Sequence, residues 1–72
     1  MKVTRIECED RVTAKRIQTR LTNGNILAIT YSAGGGAHHV YAKADSATVK
    51  SELPAFLRRG AIFSESETSE AV

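Results

Sequence analysis

Few side chains in this 72-residue chain could do chemistry: a single cysteine, Cys8, two adjacent histidines, His38 and His39, and three consecutive glycines, Gly34-Gly35-Gly36. A cysteine beside a histidine base can act as a nucleophile, but nothing in the sequence brings Cys8 to His38 or His39. A reactive thiol also needs exposure and a basic neighbour. Nothing local supplies these, and Cys8 reads as a small buried hydrophobe. Neighbouring residues on a strand point to opposite faces, so His38 and His39 cannot easily grip one ion. With Cys8 as the only other soft ligand, no zinc site is expected. His38 reads as a satisfied or strand-end histidine and His39 as exposed. A phosphate-cradling glycine loop ends in Lys and Ser or Thr and opens a helix. This one runs into His38-His39 and a strand, so it reads as a mobile hairpin connection. The carboxylates fall at turns, a helix cap and the tail rather than converging on a cleft. No catalytic residue, metal ligand or cofactor is assigned, and an enzyme is the last of three function classes considered.

Length and composition bound the rest. Seventy-two residues make one domain at most. A domain of this size buries only about 60% of its unfolded surface, so it is marginal unless stapled or oligomeric. A lone cysteine excludes an intrachain disulfide and suits a reducing compartment. No apolar run is long enough for a membrane span, and MKVTRIECED lacks the apolar core of a signal peptide. A cytoplasmic location is expected. Residues 1–60 hold all ten Lys and Arg against five of the eight acids, a balance of +5. That leans toward acidic partners, but it is too low for a committed nucleic-acid binder, and Glu7, Glu9 and Asp10 break up any N-terminal basic patch.

The sequence centres on Thr13–Ser32, where two strand-like runs flank Asn23-Gly24, a strong hairpin signal. Ile17, Thr19 and Leu21 alternate with Arg16, Gln18 and Arg20; Leu27, Ile29 and Tyr31 alternate with Ile26, Ala28 and Thr30. A three-residue Thr22-Asn23-Gly24 loop with a bulge gives one cleanly apolar face. It predicts cross-strand contacts Ile17–Ile29 and Thr19–Leu27. Residues 2–9 read as a first strand with Ile6 and Cys8 inward. His38 to Ala44 reads as a fourth, with His38, Val40, Ala42 and Ala44 on one face and His39, Tyr41 and Lys43 on the other. Asp45-Ser46 caps a helix whose stripe is Val49, Leu53, Phe56 and Leu57. Arg58-Arg59 suit its C-terminal dipole, and Gly60 is its left-handed stop. Pro54 interrupts that helix, so a kink or two short pieces is expected, the second starting near Pro54. Ala61-Ile62-Phe63 either adds a brief strand or plugs the core.

The expected fold is α+β: a small, mostly antiparallel four-stranded sheet with one helix on one face, in the order ββββα with a possible short final strand. The domain covers residues 1–63, and the acidic tail, residues 64–72, is expected to be disordered. The expected core is Ile6, Ile17, Leu21, Leu27, Ile29, Tyr31, Val40, Leu53, Phe56 and Leu57. The other face would carry Arg16, Gln18, Arg20, Ala28, Thr30, His39, Tyr41 and Lys43. From it Arg16, Gln18, Arg20, Thr30, His39, Tyr41 and Lys43 are the candidate partner-binding residues, set against an ordinary solvated sheet face. The first function class is a non-enzymatic protein-interaction module, a regulator or inhibitor of a larger complex, with a homodimer as a special case. The alternative is single-stranded RNA or DNA on the basic sheet face, with Tyr41 stacking a base. Protein interaction is placed first because the charge is modest and interleaved with acids.

Overall fold

A computed structural model describes residues 2–33 and 36–67 of the chain. The elements are β1 (Lys2–Cys8), α1 (Arg11–Asn23), β2 (Ala28–Ala33), β3 (Ala37–Ala42), α2 (Ser46–Ser51), α3 (Ala55–Arg58) and β4 (Ile62–Glu67). The four strands form one sheet in the order β2-β3-β1-β4, every neighbouring pair antiparallel. This is two interleaved split β-α-β units. α1 lies over β1, β2 and β3, and α2 lies over β1 and β4. Ile6, Cys8, Ala14, Ile17, Leu21, Ile26, Ala28, Val40, Ala42, Val49, Leu53 and Leu57 are buried between the layers. The α+β class and the four-stranded antiparallel sheet are as expected. The element order is not: a helix stands where the first strand of the central hairpin was predicted, and β4 supplies the fourth strand.

Residues 13–23 are helical for reasons the residues themselves carry. Asp10 has extended backbone and its carboxylate accepts the Thr13 N–H at 2.7 Å, a side-chain N-cap. Ala14, Ile17 and Leu21 are the buried residues, spaced three and four apart along one helical stripe. The Asn-Gly pair closes the helix rather than a hairpin. Asn25 adopts φ 66°, its N–H donates to Thr22 O at 3.0 Å, and Ile26 N–H donates to Leu21 O at 2.9 Å. These bonds are the Schellman pattern, with Asn as the left-handed residue and a buried apolar pair, Leu21 and Ile26, beside it. The predicted Ile17–Ile29 and Thr19–Leu27 pairs are absent. Ile17 is fully buried on the inner face of α1, whereas Leu27, Ile29 and Tyr31 are 63%, 59% and 56% exposed.

The remaining elements follow the sequence more closely. β1 turns Thr4, Ile6 and Cys8 inward, as its alternation implied. Thr4 is fully buried and its hydroxyl donates to Ala44 O at 2.8 Å, tying the β3–α2 loop to the centre of the sheet. A buried hydroxyl is tolerable only with such a partner. The second helix breaks at Pro54. α2 ends at Ser51, and Pro54 becomes the N-cap of α3, where a missing N–H costs little. Gly60 has φ 80°, the left-handed stop the sequence signalled. Phe56 is not core: Val49, Leu53 and Leu57 are buried, and Phe56 points outward at 63% exposure. The Ala61–Phe63 run enters β4, which extends to Glu67 and pairs along the outer edge of β1. Residues 64–67, expected to be disordered, are therefore strand. The rest of the predicted tail, residues 68–72, lies outside the described residues, as does most of the glycine loop whose mobility was expected.

Three carboxylates hold helix starts. Asp10 caps α1, Asp45 accepts Thr48 N–H at 2.9 Å at α2, and Glu65 reaches from β4 to accept Ser46 N–H at 2.8 Å while pairing with Lys2 at 3.4 Å. The backbone N–H groups of Thr13 and Ser46 hold Asp10 and Glu65 below their ordinary values of 3.8 and 4.5, and the hydrogen bond from Thr48 does the same for Asp45. A carboxyl whose folded value is depressed stabilises the fold above its unfolded value, and that contribution is lost as pH falls through the folded one. Stability is therefore expected to hold at neutral pH and to fall as pH drops below about 4. Melts at neutral and acidic pH check this. Asp10→Asn/Asp45→Asn/Glu65→Gln, which keeps cap acceptors but cannot titrate, should flatten the acid limb.

Candidate functional site

Strand β2 is inverted relative to its chemistry. Its small or polar residues Ala28, Thr30 and Ser32 share the helix-facing side with Val40 and Ala42 of β3, as the register requires. The larger residues Ile29 and Tyr31 face away from the helices. Leu27, whose carbonyl accepts the Lys43 N–H at 2.9 Å, continues that series. Reading across the open face from β4 to β2, one row is Ile62, Glu7, His39 and Tyr31; the next is Ser64, Arg5, Tyr41 and Ile29. The Tyr31 and Tyr41 rings meet edge to face with centroids 6.5 Å apart, and His39 lies 6.3 Å from Tyr41. Ile62 is 60% exposed at the far edge. The apolar and aromatic part of this face is concentrated on β2 and β3, and Arg5 and Glu7 of β1 separate it from Ile62.

The seven residues predicted to bind a partner do not form one surface. His39, Tyr41 and Lys43 belong to the open face, as expected. His39 is half-buried rather than exposed, and its Nδ1 is buried with no hydrogen-bond partner among the described residues. Arg16, Gln18 and Arg20 are on α1, on the opposite side of the sheet. Gln18 is structural: its Nε2 donates to Ala28 O at 3.1 Å, fastening α1 to β2. Thr30 faces the helix side too. The basic sheet face is thus replaced by two surfaces, an apolar open face and a basic trench beside α1. What the sequence reading missed on the open face is Leu27, Ile29 and Tyr31. Their alternation was visible, but its direction was not.

The trench, about 810 Å³, runs between α1, α3 and β2. Thr30 and Ser32 form its floor because α1 stops short of covering them; Leu57 borders it. Arg11, Lys15, Arg16 and Arg20 of α1 line it, with exposed Val12 on α1 and exposed Phe56 on α3. Among the described residues, none of these four cations is in an ion pair.

The sheet does bring Cys8 and His38 together, as register partners on β1 and β3. Their electrostatics oppose a nucleophile. Burial, then the Asp10 and Glu7 carboxylates, pushes the Cys8 thiol up to about 11, the reverse of an activated cysteine. Its Sγ points to Ile6 O at 3.8 Å, and His38 Nδ1 shares a 3.0 Å hydrogen bond with Ser32 Oγ. Among the described residues no three His, Cys, Asp or Glu side chains converge as metal ligands, and no helix is long and apolar enough to cross a membrane. Compared with models of known protein families and with curated proteins, the chain matches none.

Proposed function

We propose that the chain is a non-enzymatic protein-interaction module whose open sheet face is its docking surface, and that the occupant this face fits is a second copy of itself. The observation that carries the reading is β2 with the residue before it, which turn Leu27, Ile29 and Tyr31 to solvent while small side chains face the helices. Exposed apolar patches of this kind mark association sites. Two features favour a second copy. Arg5 and Glu7 are alternate residues of β1 on this face, so a two-fold axis can set each Arg5 against the partner's Glu7 in a self-complementary contact. A second sheet packed about 10 Å away also supplies the apolar layer that a chain of this length lacks. Each such side chain is a little over half exposed, so its burial contributes about 1–2 kcal/mol. Six in a symmetric pair is a gain of the size needed against an association cost of about 4–15 kcal/mol. A regulatory or inhibitory role would use the same face, by exchanging the second copy for a surface of a larger complex.

Sedimentation at high micromolar concentration tests the reading. The chain is expected to run as a dimer, and Ile29→Lys is expected to weaken self-association by about tenfold or more with an unchanged far-UV spectrum. A strict monomer, or an Ile29→Lys dimer as tight as the original, would overturn it.

A second reading has an observation of its own. Tyr31, Tyr41 and His39 cluster on the open face beside Arg5, and rings on a sheet face can stack single-stranded bases at about 1–3 kcal/mol each. It ranks second because Arg16 and Arg20 lie on the other side of the sheet. Salt-dependent binding of a short single-stranded RNA, lost in Tyr31→Ala and Tyr41→Ala, would put it first.

A further inference from the structure

We propose that the trench beside α1 is a second binding site, independent of the open sheet face, and that it takes an acidic amphipathic helix from a protein partner. Three observations carry this. The cations are distributed rather than convergent: Arg11, Lys15, Arg16 and Arg20 extend over ten residues of α1, about 13.5 Å of helix, as two pairs, Arg11–Lys15 and Arg16–Arg20, on its two flanks. A small anion needs one focus of charge, whereas cations spread over this length need a ligand with charge along its own. They are also without an ion-pair partner among the described residues. No Asp or Glu lines the trench among the described residues. Asp10, the carboxylate whose field reaches Arg16, is engaged in capping α1.

The third observation separates two polyanions. Val12 and Phe56 face the trench at 60% and 63% exposure, although a surface helix ordinarily presents polar residues there. A nucleic-acid strand would use the single ring of Phe56 and leave Val12 wet. An amphipathic helix would lay apolar anchors spaced three and four apart against both, with its flanking carboxylates reaching the α1 cations. The size of the trench lies within the range of established ligand clefts, about 300–1,000 Å³.

The test uses the full chain and a labelled synthetic peptide thirteen residues long, the length of α1, with leucines on one helical face and glutamates on the other. Anisotropy titrations are run beside a scrambled peptide of the same composition and a labelled single-stranded oligonucleotide. The amphipathic peptide is expected to bind about tenfold or more tightly than the scrambled one. Arg16→Glu/Arg20→Glu and Val12→Ser/Phe56→Ser are each expected to weaken it by about tenfold or more. All four of these side chains are solvent-exposed, and far-UV spectra check that the fold is kept. The sedimentation behaviour of both variants is expected to match the unmodified chain, which keeps this site distinct from the sheet face. Equal binding of the scrambled peptide, tighter binding of the oligonucleotide, no binding of the peptide, or variants that bind like the original would each overturn the proposal.

Discussion

Ile17→Ala is expected to remove about 2–5 kcal/mol of stability, from a total of roughly 4–10 kcal/mol for a chain of this length. Ile17 has no exposed surface and sits at the centre of the layer between α1 and the sheet, with Ile6, Leu21 and Val40, all fully buried, in the same core. Truncation there removes transfer free energy and leaves a cavity that a two-layer fold this small cannot easily close. The informative comparison is Ile29→Ala. In the hairpin expectation Ile17 and Ile29 faced each other and their truncations would cost alike. In the fold, Ile29 is 59% exposed on the far side of the sheet, so the stability of the monomer should change by only about 0.5 kcal/mol. Urea denaturation of the two variants at low protein concentration measures both. Similar midpoints would contradict the layer assignment.

Thr19→Pro is the second large effect, at about 3 kcal/mol or more. Thr19 lies in the interior of α1 and its side chain is exposed. The loss therefore comes from the backbone: a missing N–H in the helical ladder and a ring clash one turn back. Thr19→Ala gives the sign test. In a helix, alanine at an exposed position is better than threonine by a few tenths of a kcal/mol, so thermal stability should rise slightly. In a strand the same change would lower it, because β-branched residues are favoured there. The pair of substitutions therefore distinguishes a helical from an extended segment without reference to any partner.

The ambiguity that these variants address has a definite origin. Ile17 and Leu21 are four apart, and four is both a multiple of the strand period and close to one turn of helix. The spacing alone cannot choose between them. Ala14 can, because a three-residue step to Ile17 places both on one side of a helix and on opposite sides of a strand. Asp10, three residues before Thr13, was the matching start signal. Asn23-Gly24-Asn25 offered two readings, a hairpin loop or a helix stop, and the left-handed residue proved to be Asn25. The second helix was easier to read: Asp45, Pro54 and Gly60 each favour a distinct role, as cap, interruption and left-handed stop, and each lies where that role is needed.

Short-range periodicity and residues with distinctive backbone preferences were enough for the α+β class, for the first and third strands with their inward residues Ile6, Cys8, Val40 and Ala42, and for a helix interrupted at Pro54 with its cap and stop, though not for the choice between a kink and a break. Which side of β2 faces inward is a matter of packing between distant segments. Alternation defines two faces without saying which one a helix will lie on, and α1, fastened through Gln18 to Ala28, lies on the side with the smaller residues. That packing turned Leu27, Ile29 and Tyr31 outward, the helical state of residues 11–23 placed Arg16 and Arg20 on the opposite side of the sheet, and together they divided one expected binding surface into two.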